Sequence, residues 1–234
     1  MSVILVFLLV IIGIAGWWLV QQGVMSKPWL EHGPRGALQD VEDPVIPTEK
    51  IGLAVFLAVV GALFALFASA YFMRMELPDW QALPILRLLW LNTGILVLSS
   101  VALQCAVIAA RQGQMDTLRL ALVTGGITAL AFLAGQLVAW RQLSAEGNFL
   151  TANPANSFFY LLTGMHGLHI LGGLLALTRT TIRAWSSASP ERLRLGTELC
   201  AMYWHFLLFV WLALFVLLAG WAADFIEICR RVLT

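Results

Sequence analysis

Long apolar runs, broken by short clusters of charge, proline and glycine, set the pattern of this chain. Six can be marked, at about residues 2–20, 51–73, 86–110, 118–140, 155–178 and 198–226. Each has the length a helix needs, about 20 residues, to cross a hydrocarbon core of about 30 Å. A membrane β-strand would be about ten residues of alternating polarity, a period these runs lack. The pattern predicts an all-α, polytopic transmembrane bundle of six helices, one N-terminal helix followed by a five-helix core.

The joins refine this picture. The first run, MSVILVFLLVIIGIAGWWLVQQ, lacks the basic start and small-residue cleavage site of a signal peptide. Its closing Trp17 and Trp18 read as anchors at the membrane interface, so it is kept as a helix. The only long connection runs from Gln21 to Glu49, and its PWLEHGPRGALQDVEDPVIP predicts an extramembrane loop. Residues 1–49 therefore form an N-terminal helix and loop, and residues 50–234 the core. The other joins are short, which makes most sequence neighbours antiparallel.

Composition agrees: 60% of the residues are hydrophobic and 12% charged, far from the balance of a soluble domain. With 14 basic and 13 acidic side chains, nothing argues for a nucleic-acid partner. Distribution says more than the sum. Lys27, Arg35, Lys50, Arg111, Arg119, Arg179, Arg183, Arg192 and Arg194 fall on one side, and Arg74, Arg87, Arg141, Arg230 and Arg231 on the other. The richer side is expected to be cytoplasmic, with the 179–197 loop decisive and both termini outside. Cys105, Cys200 and Cys229 are odd in number and form no CxxC pair, so they read as small core residues.

Candidate chemistry rests on the few polar groups inside the spans, since each needs a partner or water. They are Asn92 and Gln104, Gln136, the pair His166 and His169 in TGMHGLHILGG, and Glu198 with His205. His166 and His169 share a helix face, as do Glu198 and His205. At 1.5 Å per residue, His169 lies about 14 Å from the inner end of its helix and His205 about 10 Å above the inner end of the next. Similar depth lets His169 and His205 face one another.

Three readings of these histidines compete. They can fix helix packing through hydrogen bonds, helped by Gly164, Gly167, Gly172 and Gly173, which let a neighbouring backbone approach. They can ligate a metal or haem, as neutral imidazole does, although HExxH is absent. Or Glu198 and His205 can begin a proton relay from the inner face, one that finds no ionisable residue beyond His166. No nucleophile triad, phosphate-binding glycine loop or carboxylate pair is present. The chain reads as one that packs and supports, with no catalytic centre of its own.

NSFFYLLTGMHGLHILGG followed by ELCAMYWHFLLFVWLALF resembles the subunit III family of haem-copper oxidases. TEKIGLAVFLAVVGALFALFASAYF and LWLNTGILVLSSVAL are similar to two earlier helices of that family, so the likeness covers about residues 47–226 in the family's order. It implies an accessory, non-catalytic subunit of a cytochrome c oxidase, a complex that reduces oxygen to water and pumps protons in a bacterial plasma membrane. A quinol oxidase, a nitric-oxide-reductase-associated complex, and an independent histidine-ligated membrane metalloenzyme are the alternatives.

By the same resemblance, the chain holds no cofactor itself. Haem and copper reside in the partner subunits I and II, cytochrome c or quinol docks through those subunits, and phospholipids bind. Thr163, Gly164, His166, Gly167 and His169 match one helix motif, and Glu198, Tyr203, Trp204, His205, Phe206 and Trp211 the next. Of these, His166, His169, Glu198, Trp204, His205 and Trp211 are expected to serve structure, lipid contact or proton handling. Two carboxylates usual in the family are replaced, by Val60 and Leu208, so their roles are not carried over. The family's usual seven helices, or five in the quinol branch, also differ from the six expected here.

Overall fold

The computed structural model describes residues 47–81, 87–186 and 190–219. Among them there are five helices and no strand: α1 (Thr48–Met75), α2 (Arg87–Gln112), α3 (Met115–Ala145), α4 (Pro154–Trp185) and α5 (Pro190–Leu218). All five are long and apolar enough to cross a membrane. The sixth expected helix, at 2–20, the loop that follows it to residue 46, and the 220–226 end of the last run lie outside the described residues.

The helices outrun the apolar segments that predict them. The stretch at 179–197, expected as a loop, is mostly helix: α4 continues to Trp185 and α5 starts at Pro190. Hydropathy marks where a helix crosses hydrocarbon, whereas backbone hydrogen bonding continues into water as long as the sequence permits. Arg179, Arg183, Arg192 and Arg194 are good helix formers and extend both ends. Proline at the first position suits both starts, since its missing N–H is one a helix leaves free there. Asn153 caps α4, its side chain accepting from Ala155 N at 3.1 Å. Between α2 and α3 the turn is only Gly113 and Gln114, and Gly113 adopts φ 72°, a left-handed conformation that glycine takes without strain.

α2, α3, α4 and α5 form a closed ring, with α2 packing on α3 and α5, and α4 on α3 and α5. α1 packs outside this ring on α5 and α4 rather than mainly on its sequence neighbour α2. In a membrane, packing of this kind is driven by van der Waals contact and interhelical hydrogen bonds. α5 is the central element, burying Trp204, Leu207 and Trp211 almost completely. Trp211 also donates from Nε1 to Thr93 Oγ1 at 3.0 Å, which joins α5 to α2. Val60 is buried with Phe64, Leu162, Val210 and Leu214, where α1 meets α4 and α5.

Candidate functional site

His166 marks the junction of four helices. It is fully buried, with ring centroids 5.1 Å from Trp211 of α5, 5.9 Å from Phe132 of α3 and 6.3 Å from Phe64 of α1. The Trp211 ring lies at 32° to the imidazole, and the two phenylalanines present edges. Neither imidazole nitrogen has a hydrogen-bond partner among the described residues. The side chain therefore packs as an aromatic plate.

His169, one turn on, turns toward α1, with its ring centroid 5.5 Å from Phe64. Its Nδ1 is 2.7 Å from Met165 O, within its own helix. Tyr203 of α5 donates to His169 O at 2.8 Å, so the backbone of this turn, not its imidazole, is tied to α5. The expected meeting of His169 with His205 does not occur. Depth was compatible with it, but rotation about the helix axes places His205 on the α2 side of α5.

There His205 lies between Ser100 and Gln104, both on α2. Its Nδ1 is 2.5 Å from Ser100 Oγ, and its Nε2 is 3.0 Å from Gln104 Oε1. A carboxamide oxygen only accepts, so Nε2 carries the proton and Nδ1 accepts from the serine hydroxyl. Ser100 and Gln104, one turn apart, complete a site for which the sequence reading had singled out only His205 and, as an isolated polar group, Gln104. The i, i+4 spacing of two polar residues inside an apolar helix was the available signal.

Glu198 joins three elements. Lys50 of α1 donates to its Oε2 at 2.8 Å, and Arg111 of α2 to Oε1 at 3.1 and 3.2 Å. Arg194, one turn earlier on α5, reaches Oε1 at 3.5 Å. The glutamate side chain is only 12% exposed, so its charge is balanced mainly by protein cations. Lys50 and Arg111 as its partners were not visible in the sequence, where they stand 148 and 87 residues away. No hydrogen bond among the described residues links Glu198 to His205.

Further polar ties close the ring. Asn92 Nδ2 faces Gln136 Oε1 at 3.5 Å in the interior, and Trp140 Nε1 donates to Thr163 Oγ1 at 3.0 Å. Trp204 is wholly buried against the α4 backbone: a Cβ placed on Gly173 would lie 2.7 Å from its ring and 2.5 Å from Tyr203. Beside Trp140, a surface groove of about 380 Å³ is lined by Leu137, Trp140, Arg141, Ser144 and Tyr160.

Among the described residues no three of His, Cys, Asp or Glu converge. Aromatic rings wall in His166, and α2 engages both ring nitrogens of His205. What the arrangement does well is hold helices: each of the six singled-out side chains, His166, His169, Glu198, Trp204, His205 and Trp211, touches a second helix.

Comparison with known proteins places this bundle. Residues 45–223 match the family model described as cytochrome c oxidase subunit III. A Synechocystis protein named "Cytochrome c oxidase subunit 3" is 35% identical over 178 residues, covering 71% of this chain and 72% of the relative. A Nocardia farcinica protein named "Probable cytochrome c oxidase subunit 3" is 32% identical over 171 residues, 71% of this chain and 84% of the relative. One of the same name from Mycobacterium bovis is 34% identical over 143 residues, 61% and 67% of the two chains. Since the family match runs through all five described helices, from the Lys50–Glu198 tie to the buried Trp211, the chain belongs to the cytochrome c oxidase subunit III family.

Proposed function

We propose that this chain is a non-catalytic integral-membrane subunit of a respiratory cytochrome c oxidase, whose complex reduces oxygen to water and pumps protons. The observation that carries the reading is the family match over residues 45–223. Electron transfer and oxygen chemistry belong to partner subunits I and II, which hold the haem and copper and face cytochrome c. This chain supports their durability, and its membrane is a bacterial plasma membrane with the Lys50, Arg111 and Arg194 end toward the cytoplasm. His166, His169, Trp204 and Trp211 keep α1, α4 and α5 in register, while Glu198 and His205 secure α5 to α2. Phospholipid headgroups fit the groove at Arg141, Ser144 and Tyr160, where a cation and two hydroxyls meet an apolar wall.

Affinity purification of the tagged chain from native membranes tests this. The expected product is a haem-containing complex with a copper-binding subunit. A haem complex lacking that copper subunit moves the assignment to the quinol branch, and a chain that comes down free of haem partners overturns it.

A further inference from the structure

One patch does not suit a lipid-facing surface. His205 and Gln104 are exposed on the outer face of α2 and α5, with Ser100 beneath them. Glu198, the last Asp, Glu, Lys or Arg before the apolar stretch of α5, lies seven residues before His205, and Leu218, where the described helix ends, thirteen after it, which at 1.5 Å per residue puts the imidazole roughly 10 Å from the first and 20 Å from the second. A hydrocarbon core of about 30 Å therefore encloses the patch. Around it stand Val101, Ile108, Phe209 and Leu212, all exposed and apolar.

The hydrogen bonds close inward and leave donors pointing outward. His205 donates from Nε2 to Gln104 Oε1 and accepts at Nδ1 from Ser100. Among the described residues neither N–H of the exposed Gln104 amide has an acceptor. Acyl chains have no acceptor, and the ester and phosphate oxygens of a lipid lie at the interface. Exposed polar groups at this depth face protein or a water-filled cavity in membrane proteins. By contrast, the exposed stripe of α3, with Leu120, Ile127, Leu130 and Leu137, is a surface that lipid covers without cost.

We propose that the α2/α5 face carrying Ser100, Gln104 and His205 is the intramembrane seat for a transmembrane helix of a partner subunit, which supplies a hydrogen-bond acceptor to the Gln104 amide. This rests on the subunit reading above, which provides the partner. The acceptor is a hydroxyl, carboxamide or carboxyl side chain, or a backbone carbonyl freed at a kink. Interhelical hydrogen bonds in membranes contribute modestly to affinity, but they fix register and rotation, which is what a seat between two apolar surfaces needs.

The test places a photo-crosslinking amino acid at Val101 or Ile108, one turn either side of Gln104, and at Ile127 on α3 as control, in the full complex in native membranes. Mass spectrometry should find adducts of positions 101 and 108 with another oxidase subunit, and of position 127 with lipid. Adducts of 101 and 108 with lipid alone, with residues 1–46 of this chain or with a second copy overturn the assignment. In parallel, the Gln104→Leu/His205→Leu double variant should leave the detergent-solubilised complex at least tenfold faster than wild type, and an unchanged release rate counts against the seat. If wild-type chain never co-purifies with haem subunits, the functional reading itself has failed. If it co-purifies while 101 and 108 label only lipid, the seat alone has failed.

Discussion

Gly172 and Gly173 are adjacent on α4, yet only one faces another helix. A Cβ at Gly173 would meet Tyr203 at 2.5 Å and Trp204 at 2.7 Å, whereas one at Gly172 would meet nothing within 4 Å. Gly173→Ala is expected to lower stability by about 2 kcal/mol, as overpacking does, with Gly172→Ala near neutral. Thermal denaturation of the two variants in detergent checks this. His166 gives a second contrast. His166→Ala opens a hole between Phe64, Phe132 and Trp211 and should cost about 2–4 kcal/mol, while His166→Phe keeps the ring and should stay within about 1.5 kcal/mol of wild type. Failure of phenylalanine to rescue would mean that the nitrogens matter. At this scale the sequence was half legible: it gave the polar residues and the glycine-rich stretch, but not their partners. Rotation of a helix about its axis is fixed by all its contacts together, so depth alone misdirected His169 toward His205.

Glu198 binds α1, α2 and α5 at one end of the bundle. Glu198→Gln leaves Lys50, Arg111 and Arg194 clustered without a counter-charge. Lys50 is partly solvated, so the coupling between Lys50 and Glu198 should be about 1–2 kcal/mol. A double-mutant cycle with Lys50→Gln and Glu198→Gln, read by thermal unfolding, measures it, and a value near zero removes the tie. Just past the other end of α1, Asp79 accepts hydrogen bonds from the Arg74 guanidinium, which holds its carboxyl below the usual 3.8. Its folded value is the lower one, so the contribution is full above the ordinary value and is lost as pH falls through the folded one. The stability gap between wild type and Asp79→Asn should therefore narrow on acidification. Helix existence for all five was plain from the apolar runs. The helical ends at 179–186 and 190–197 were not, because charged residues that leave the membrane need not leave the helix.

Taken whole, the bundle puts its aromatic interior where four helices meet and leaves wide apolar faces for its surroundings. Removing the chain should spare the initial rate of oxygen reduction per haem while cutting the number of turnovers before inactivation several-fold. Oxygen-electrode traces run to completion measure this, and an oxidase equally durable without the chain would remove the supporting role. The family was legible from a few motifs because their residues occupy the crowded α1/α4/α5 junction. The polar face on α2 and α5 was not, since exposure belongs to the assembled bundle. The Lys50–Glu198 bond also has a consequence in time. Lys50 is made 148 residues before its carboxylate, which at 5–20 residues per second is roughly 7–30 s of synthesis. The bond that ties the earliest of the five helices to the latest can therefore close only after α5 has been made, although α1 can already meet α4 through Phe64 and the histidines.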